Sequence, residues 1–194
     1  MDKIICLDET SISAALKPTY SRCYLGKRCI IKTNNNFVFR NFTLLVAINN
    51  SKYLGYEVYD KGMTKEKLKE FLEKYVFSKY KNNLIILDNA GSHNNQFIKD
   101  AIINSGNKYL FAVPYTPKTN LPIEGFFNQI KYYMKSTRNI INLDQLKKNV
   151  DDSIKNIKKE NYINYFNYAY LSIEDNIHNK KDSTLKRELK NYKL

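Results

Sequence analysis

The stretch Asn83 to His93, NLIILDNAGSH, constrains this chain more than any other. Leu84, Ile85, Ile86 and Leu87 form an aliphatic run without alternation, the pattern of a strand buried on both faces. Such a strand belongs inside a sheet that helices cover on each side. It ends in Asp88 and Asn89, followed by a Gly-Ser turn and one of only two histidines. The tip of a buried strand is where open α/β sheets build their sites, so an acid at that tip is a candidate for chemistry.

The flanking segments supply the rest of a sheet. Lys3 to Asp8, KIICLD, is a second short apolar run ending in an acid and reads as the first strand. Thr10 to Lys32, broken by Pro18 and Gly26, reads as a long excursion. Phe37 to Ile48 and Lys52 to Tyr59 are rich in β-formers and joined by an Asn-Asn-Ser turn, which predicts an antiparallel hairpin. Met63 to Lys79 changes period: Thr64 can cap a helix that lines up Leu68, Phe71, Leu72, Tyr75 and Val76. After Leu84–Leu87, a helix over Asn95–Asn104, stopped by Gly106, leads to a strand at Lys108–Pro114. Strand, helix and strand with short links imply parallel neighbours.

The proline-rich segment Pro114–Pro122 reads as a loop, with Pro122 suited to open a helix through Ser136. Leu143–Lys158 and Asn161–Leu171 read as further helices. The tyrosines Tyr132, Tyr133, Tyr162, Tyr165, Tyr168 and Tyr170 fit core packing better than base stacking. The expected architecture is one α/β domain over residues 1–175, with a five-stranded mixed sheet flanked by helices, and a charged tail over 176–194.

Charge narrows the partners. The 32 Lys and Arg against 19 Asp and Glu leave a formal charge of +13, which attracts polyanions, nucleic acid first and anionic membrane second. No apolar run approaches the roughly 18 to 20 residues of a membrane span, and no signal pattern opens the chain. A soluble intracellular protein of the cytoplasm and nucleoid, or of a nucleus, is the expectation. Cys6, Cys23 and Cys29 match no zinc spacing and read as reduced thiols. A bound metal would therefore depend on carboxylates.

Three acids fall in suitable places. Asp8 and Asp88 stand at the ends of two candidate neighbouring strands, and Glu124 lies in the first turn of the helix after the prolines. In that helix Ile123, Phe127, Ile130 and Met134 share one face, while Glu124, Asn128, Lys131 and Lys135 share another. The second face lines up a carboxylate, an amide and two ammonium groups, as a site that holds a metal and follows a phosphate chain requires. Clustered carboxylates repel one another without a cation. Mg²⁺ takes oxygen ligands, and two such ions about 4 Å apart suit phosphodiester chemistry. Taken singly, each acid also fits a turn or helix-terminal role.

At these residues the sequence resembles the DDE transposase catalytic domain of the IS630 and Tc1/mariner superfamily. CLDETSIS (Cys6–Ser13) resembles the first-aspartate motif, and LGKRCIIKT (Leu25–Thr33) the segment before the second strand. ILDNAGSHNN (Ile86–Asn95) resembles the second-aspartate motif. PYTPKTNLPIEGFFNQIKYYMK (Pro114–Lys135) resembles the proline-rich loop leading into Pro-Ile-Glu and its helix. The family runs Asn-Pro-Ile-Glu, whereas here Leu121 separates Asn120 from Pro122. The extra residue is expected in the loop, which leaves Glu124 in register.

The resemblance implies a ribonuclease H-like fold and a metal-dependent DNA endonuclease and transposase, a polynucleotidyl transferase. It implies two Mg²⁺ ions, with Mn²⁺ able to substitute, cleavage at transposon ends and strand transfer by the freed 3′-hydroxyl. Asp8, Asp88 and Glu124 are implied as the catalytic, metal-binding triad. Asn89 and His93 match family positions near the site, for orientation or DNA contact, with a structural histidine as the alternative for His93. Asn128, Lys131, Lys135 and Arg138 are the candidate DNA contacts of the following helix. The implied partners are double-stranded DNA and a second copy of the chain, as a homodimer or larger assembly. The helix-turn-helix region that reads transposon ends is expected to be missing, so that a separate DNA-reading chain or domain would be needed.

Two other readings share these acids. A catalytically decayed or domesticated transposase remnant would bind DNA through Lys147, Lys148, Lys155, Lys158 and Lys159 and cut nothing. Another ribonuclease H-like nuclease acting on RNA or Holliday junctions shares the acids but not the four motifs.

Overall fold

Five strands form one mixed sheet in the order β3-β2-β1-β4-β5. The computed structural model describes residues 1–13, 22–30, 36–112, 121–135, 140 and 142–170. The strands are β1 (Ile4–Ser13), β2 (Asn41–Ile48), β3 (Tyr53–Tyr59), β4 (Leu84–Leu87) and β5 (Lys108–Phe111). The helices are α1 (Lys65–Leu72), α2 (Gln96–Asn104), α3 (Leu121–Met134), α4 (Leu143–Lys155) and α5 (Lys159–Tyr170). β1, β2 and β3 pair antiparallel, whereas β4 runs parallel to β1 and β5 parallel to β4. This is the mixed five-stranded sheet expected from the sequence.

Alternation along the central strands builds two cores. Cys6, Ile12, Leu44, Val46 and Ile86 pack on one side with Ile123, Phe126, Phe127 and Ile130 of α3, together with side chains of α4 and α5. Ile5, Leu7, Leu45, Ile85 and Leu87 pack on the other with Leu68, Phe71, Ile98 and Ile102 of α1 and α2. Both faces of β1 and β4 are thereby covered, as their unbroken apolar runs require. Side-chain caps set the helix starts: Thr64 for α1, Asn95 for α2 and Asn142 for α4 each accept a backbone N–H of the first turn. Gly106, at φ +80°, supplies the left-handed turn after α2.

Several boundaries differ from the sequence reading. Phe37 lies in a 3-10 turn, Asn36–Phe39, ahead of β2, with its ring 5.4 Å from that of Phe42. The helix after Thr64 changes to a π-helical turn over Glu73–Phe77. Leu121 is the first residue of α3, not the last of the loop, and Pro122 takes the second position, where a missing N–H costs nothing. The helix keeps its register, since Ile123, Phe127, Ile130 and Met134 are all buried. Tyr162 is in the core, but Tyr132 and Tyr168 are more than two-thirds exposed, against the core reading for those two. The 113–120 loop, Arg138 and the 176–194 tail lie outside the described residues.

A close approach locks β3 to the π-helical turn. A Cβ on Gly55 would fall 2.1 Å from Tyr75 Cδ1. The Tyr75 ring lies against Phe71, and its hydroxyl donates to Glu57 Oε1 at 2.8 Å, so it cannot swing aside freely. Gly55→Ala is therefore expected to destabilise the fold by about 1–3 kcal/mol, exceeding the roughly 0.4–1 kcal/mol that a stiffer unfolded chain returns. The urea midpoint measures it.

Candidate active site

The site opens where β4 stops and β1 continues. The parallel pairing ends at Cys6 and Ile86, while β1 runs on to Ser13, paired with β2 alone. Asp8 is thus inside β1, opposite Val46, and not at the strand's end as the sequence suggested. Continuing the parallel register two residues brings Asp8 level with Asp88, on strands that lie roughly 4.8 Å apart. Asp8 shares the strand face of Cys6 and Ile12, which is the face that α3 covers.

α3 brings the third acid. Lys131 of this helix donates from Nζ to Thr10 Oγ1 at 2.5 Å, pinning α3 along β1 two residues beyond Asp8. Glu124 lies seven residues earlier on the same helix face, and its charge is felt at both Asp8 and Lys131. Asn128, between them, is exposed, and Lys135 is half-buried at the end of this face.

Burial, together with the charges of Asp88, Glu9 and Glu124, pushes the Asp8 carboxyl up to about 7, although the Glu9 amide hydrogen bond, 2.8 Å to Oδ1, favours its ionised form. Burial works against the Asp88 carboxylate too, but the His93 hydrogen bond and charge and the Ala90 amide hold its pKa below the usual value. Burial also lowers the pKa of Lys131, with the Glu124 charge opposing it.

The loop after β4 adds a second constellation that the sequence reading only half found. His93 is fully buried. Its Nδ1 is hydrogen-bonded to Asp88 Oδ1, and its Nε2 lies 3.1 Å from Glu9 Oε2 without the alignment of a hydrogen bond. Burial opposes a charged imidazole, but the two carboxylates outweigh it and push the His93 pKa up to about 9. One ligand atom from each of Glu9, Asp88 and His93 falls within 4.8 Å of the others, and among the described residues no further trio of His, Cys, Asp or Glu comes together so closely. Asp88 therefore stands between Asp8, level with it on β1, and the pair Glu9 and His93. Strand alternation beyond Asp8 would have exposed Glu9 as a candidate, had β1 been read past the acid. Asn89 is exposed and accepts from Asn94 Nδ2 at 2.6 Å.

The donor chemistry fits hard divalent cations. Asp8, Asp88 and Glu124 offer only carboxylate oxygens, and the Asp8 pKa is raised first by burial and then by the neighbouring acids. Cys23 and Cys29 are exposed and Cys6 is buried, all three with free thiols. No helix among the described residues is long and apolar enough to cross a membrane.

A family model described as DDE superfamily endonuclease matches residues 3–147. Among solved structures, the chain is similar to the Mos1 transposase paired-end complex with left transposon end, at 17% identity and a TM-score of 0.74, covering 89% of this chain and 54% of that one. It is similar to the Mos1 mariner paired end complex with Mn, at 17% identity and 0.74, covering 90% and 54%. The catalytic domain of Mos1 mariner transposase matches at 16% identity and 0.65, covering 87% and 77%. At these identities the likeness shows the fold. The chain spans about half the length of the transposase in the paired-end complexes. No curated protein matches the sequence.

Proposed function

Because this chain belongs to the DDE superfamily endonucleases, we propose that it is a DNA transposase catalytic domain, spanning residues 1–175 and followed by a charged tail over 176–194. It cleaves phosphodiester bonds at transposon ends and joins the freed 3′-hydroxyl to target DNA. The observation that supports this reading is that Asp8 stands level with Asp88 on the neighbouring parallel strand, with the charge of Glu124 reaching Asp8. Asp8, Asp88 and Glu124 would hold two Mg²⁺ ions, for which Mn²⁺ could substitute, as the Mn in the similar Mos1 complex supports. Bound there, divalent cations supply positive charge to the scissile phosphate and lower the pKa of the attacking water.

The chain's own groups bind and orient. Lys131 is held by Thr10 beside the acids, where its ammonium offsets their charge and faces the phosphate chain. Asn128 and Lys135 extend that face, with Arg138 beyond it, and Asn89 meets DNA from the other side of the strand tip. Contacts of this kind give affinity that falls steeply with salt and little base choice. The partners are double-stranded DNA, in line with the transposon-end DNA in the paired-end relative, and a second copy of the chain.

The expected result is Mn²⁺-dependent nicking of double-stranded DNA that disappears in Asp88→Ala. DNA binding without nicking by the wild-type chain, or nicking that survives Asp88→Ala, would favour the decayed remnant or a contaminating nuclease.

A further inference from the structure

Asp88 is a single carboxylate at the tip of a four-residue strand, followed by a turn. Left to itself, such a side chain rotates among its rotamers, and a metal ligand that rotates binds weakly because its ordering is charged against affinity. The side of Asp88 away from Asp8 is closed by His93, whose ring is fully buried and bonded through Nδ1 to Asp88 Oδ1. The far nitrogen of that ring is also sealed from solvent and lies 3.1 Å from Glu9 Oε2, without a completed hydrogen bond. A buried polar atom without an aligned partner is costly. Its neighbour is informative: the carboxylate 3.1 Å away is on the strand that also carries Asp8.

We propose that Glu9 and His93 form a clamp that positions Asp88, with Glu9 steadying the imidazole and the imidazole fixing Asp88 Oδ1. Rotation about the Asp88 side chain is thereby stopped, and Oδ2 is left to face the gap toward Asp8. The local backbone supports the clamp. The Ala90 amide donates to the same Oδ1 at 3.2 Å, and the His93 amide donates to Ala90 O at 2.9 Å, so the turn holds the ring at its post. Glu9 sits next to Asp8 in β1, and its amide donates to Asp8 Oδ1 at 2.8 Å. One dipeptide of β1 thus orients both aspartates, Asp8 through the Glu9 backbone and Asp88 through the Glu9 side chain. Glu9 and His93 are positioning residues, and their role rests on the reading of Asp88 as a metal ligand.

Mn²⁺ binding to the full chain without DNA, followed by the electron paramagnetic resonance signal of free Mn²⁺, tests the clamp beside thermal melting. Removing an outer partner of a metal ligand typically weakens binding about 10- to 100-fold, and that loss is expected of His93→Ala. His93→Asn places an amide nitrogen near the Nδ1 position and is expected to recover most of the affinity. His93→Gln, whose amide nitrogen falls near Nε2, is expected not to. Glu9→Gln, which keeps the size of the side chain and loses its charge, is expected to weaken Mn²⁺ binding by less than His93→Ala. Equal Mn²⁺ affinity in wild type and His93→Ala overturns the clamp, as does affinity that follows melting temperature across the Asn and Gln variants. Asp88→Ala separates the two levels: if it binds Mn²⁺ as tightly as wild type, the reading of Asp88 as a ligand fails, and the clamp with it.

Discussion

Asp8→Asn is expected to abolish Mn²⁺-dependent nicking and at the same time to raise the melting temperature of the metal-free protein. Both effects follow from the same charges. A ligand that helps a metal stabilise the transition state is worth about 4 kcal/mol, or about a thousandfold in rate. Without a cation the Asp8 carboxylate is buried beside Asp88, Glu9 and Glu124, which is why its pKa stands near 7 and not in the ordinary carboxylate range. A carboxyl whose folded pKa is raised takes stability away as pH climbs. At pH 4 the folded carboxyl is protonated and the unfolded one only about half ionised, so little is lost. From there to about 7 the unfolded chain ionises while the fold holds its proton, and stability falls.

Asparagine has nearly the same shape and can still accept the Glu9 amide, but it carries no charge to desolvate or repel. The variant should therefore melt above wild type at pH 8 and close to it at pH 4. Mn²⁺ should stabilise wild type at pH 8 and leave the variant nearly unmoved. Melting curves at the two pH values, with and without Mn²⁺, check this. A variant that melts well below wild type at pH 8 would mean that Asp8 is a structural residue, and that the acids do not form a charge cluster awaiting a cation.

That expectation depends on features legible in the sequence to different degrees. The Leu84–Leu87 run could only be a strand covered on both faces, and Asp88 at its tip followed directly. The faces of α3 were legible because a stripe of Ile123, Phe127, Ile130 and Met134 has one solution on a helix. The extent of β1 was not legible. Past Asp8 it reads Glu9, Thr10, Ser11, Ile12 and Ser13, polar enough to pass for a loop. It is a strand because β2 offers a full antiparallel partner while β4 has already ended. Missing that continuation hid the partnership of Glu9 with His93 and of Thr10 with Lys131, each of which joins residues far apart in the chain. The π-helical turn at Glu73–Phe77 left no signal in the residue pattern either. It is defined by packing, with Tyr75 seated over Gly55.

Phe126→Ala is expected to be the most damaging single change to stability, at about 3–5 kcal/mol, against total stabilities of roughly 5–15 kcal/mol for domains of this kind. Phe126 is fully buried, with its ring 6.0 Å from Tyr162 of α5 and 6.1 Å from Phe127. The cavity left there could not close easily, because its walls are held from other directions. Gly125 lies so near α5 that a Cβ would stand 2.9 Å from Tyr165 Cδ1, and the Tyr165 hydroxyl is itself hydrogen-bonded to Gln129 Oε1. Tyr132, on the same helix but 72% exposed, provides the control: Tyr132→Ala should stay within about 0.5 kcal/mol of wild type. Urea denaturation of the two variants measures the contrast. The loss should also reach the chemistry, since Glu124 is two residues from Phe126 and α3 is fixed largely by the packing of its core face, with the Lys131 to Thr10 bond on the side of the acids. At a temperature where Phe126→Ala is still folded, nicking should fall further than the folded fraction does, because a displacement of about 1 Å in a positioned catalytic group can cost about a hundredfold in rate. Nicking that falls only in step with the folded fraction would mean that Glu124 keeps its place without the Phe126 ring, and that the anchoring of α3 to β1 alone is enough to position it.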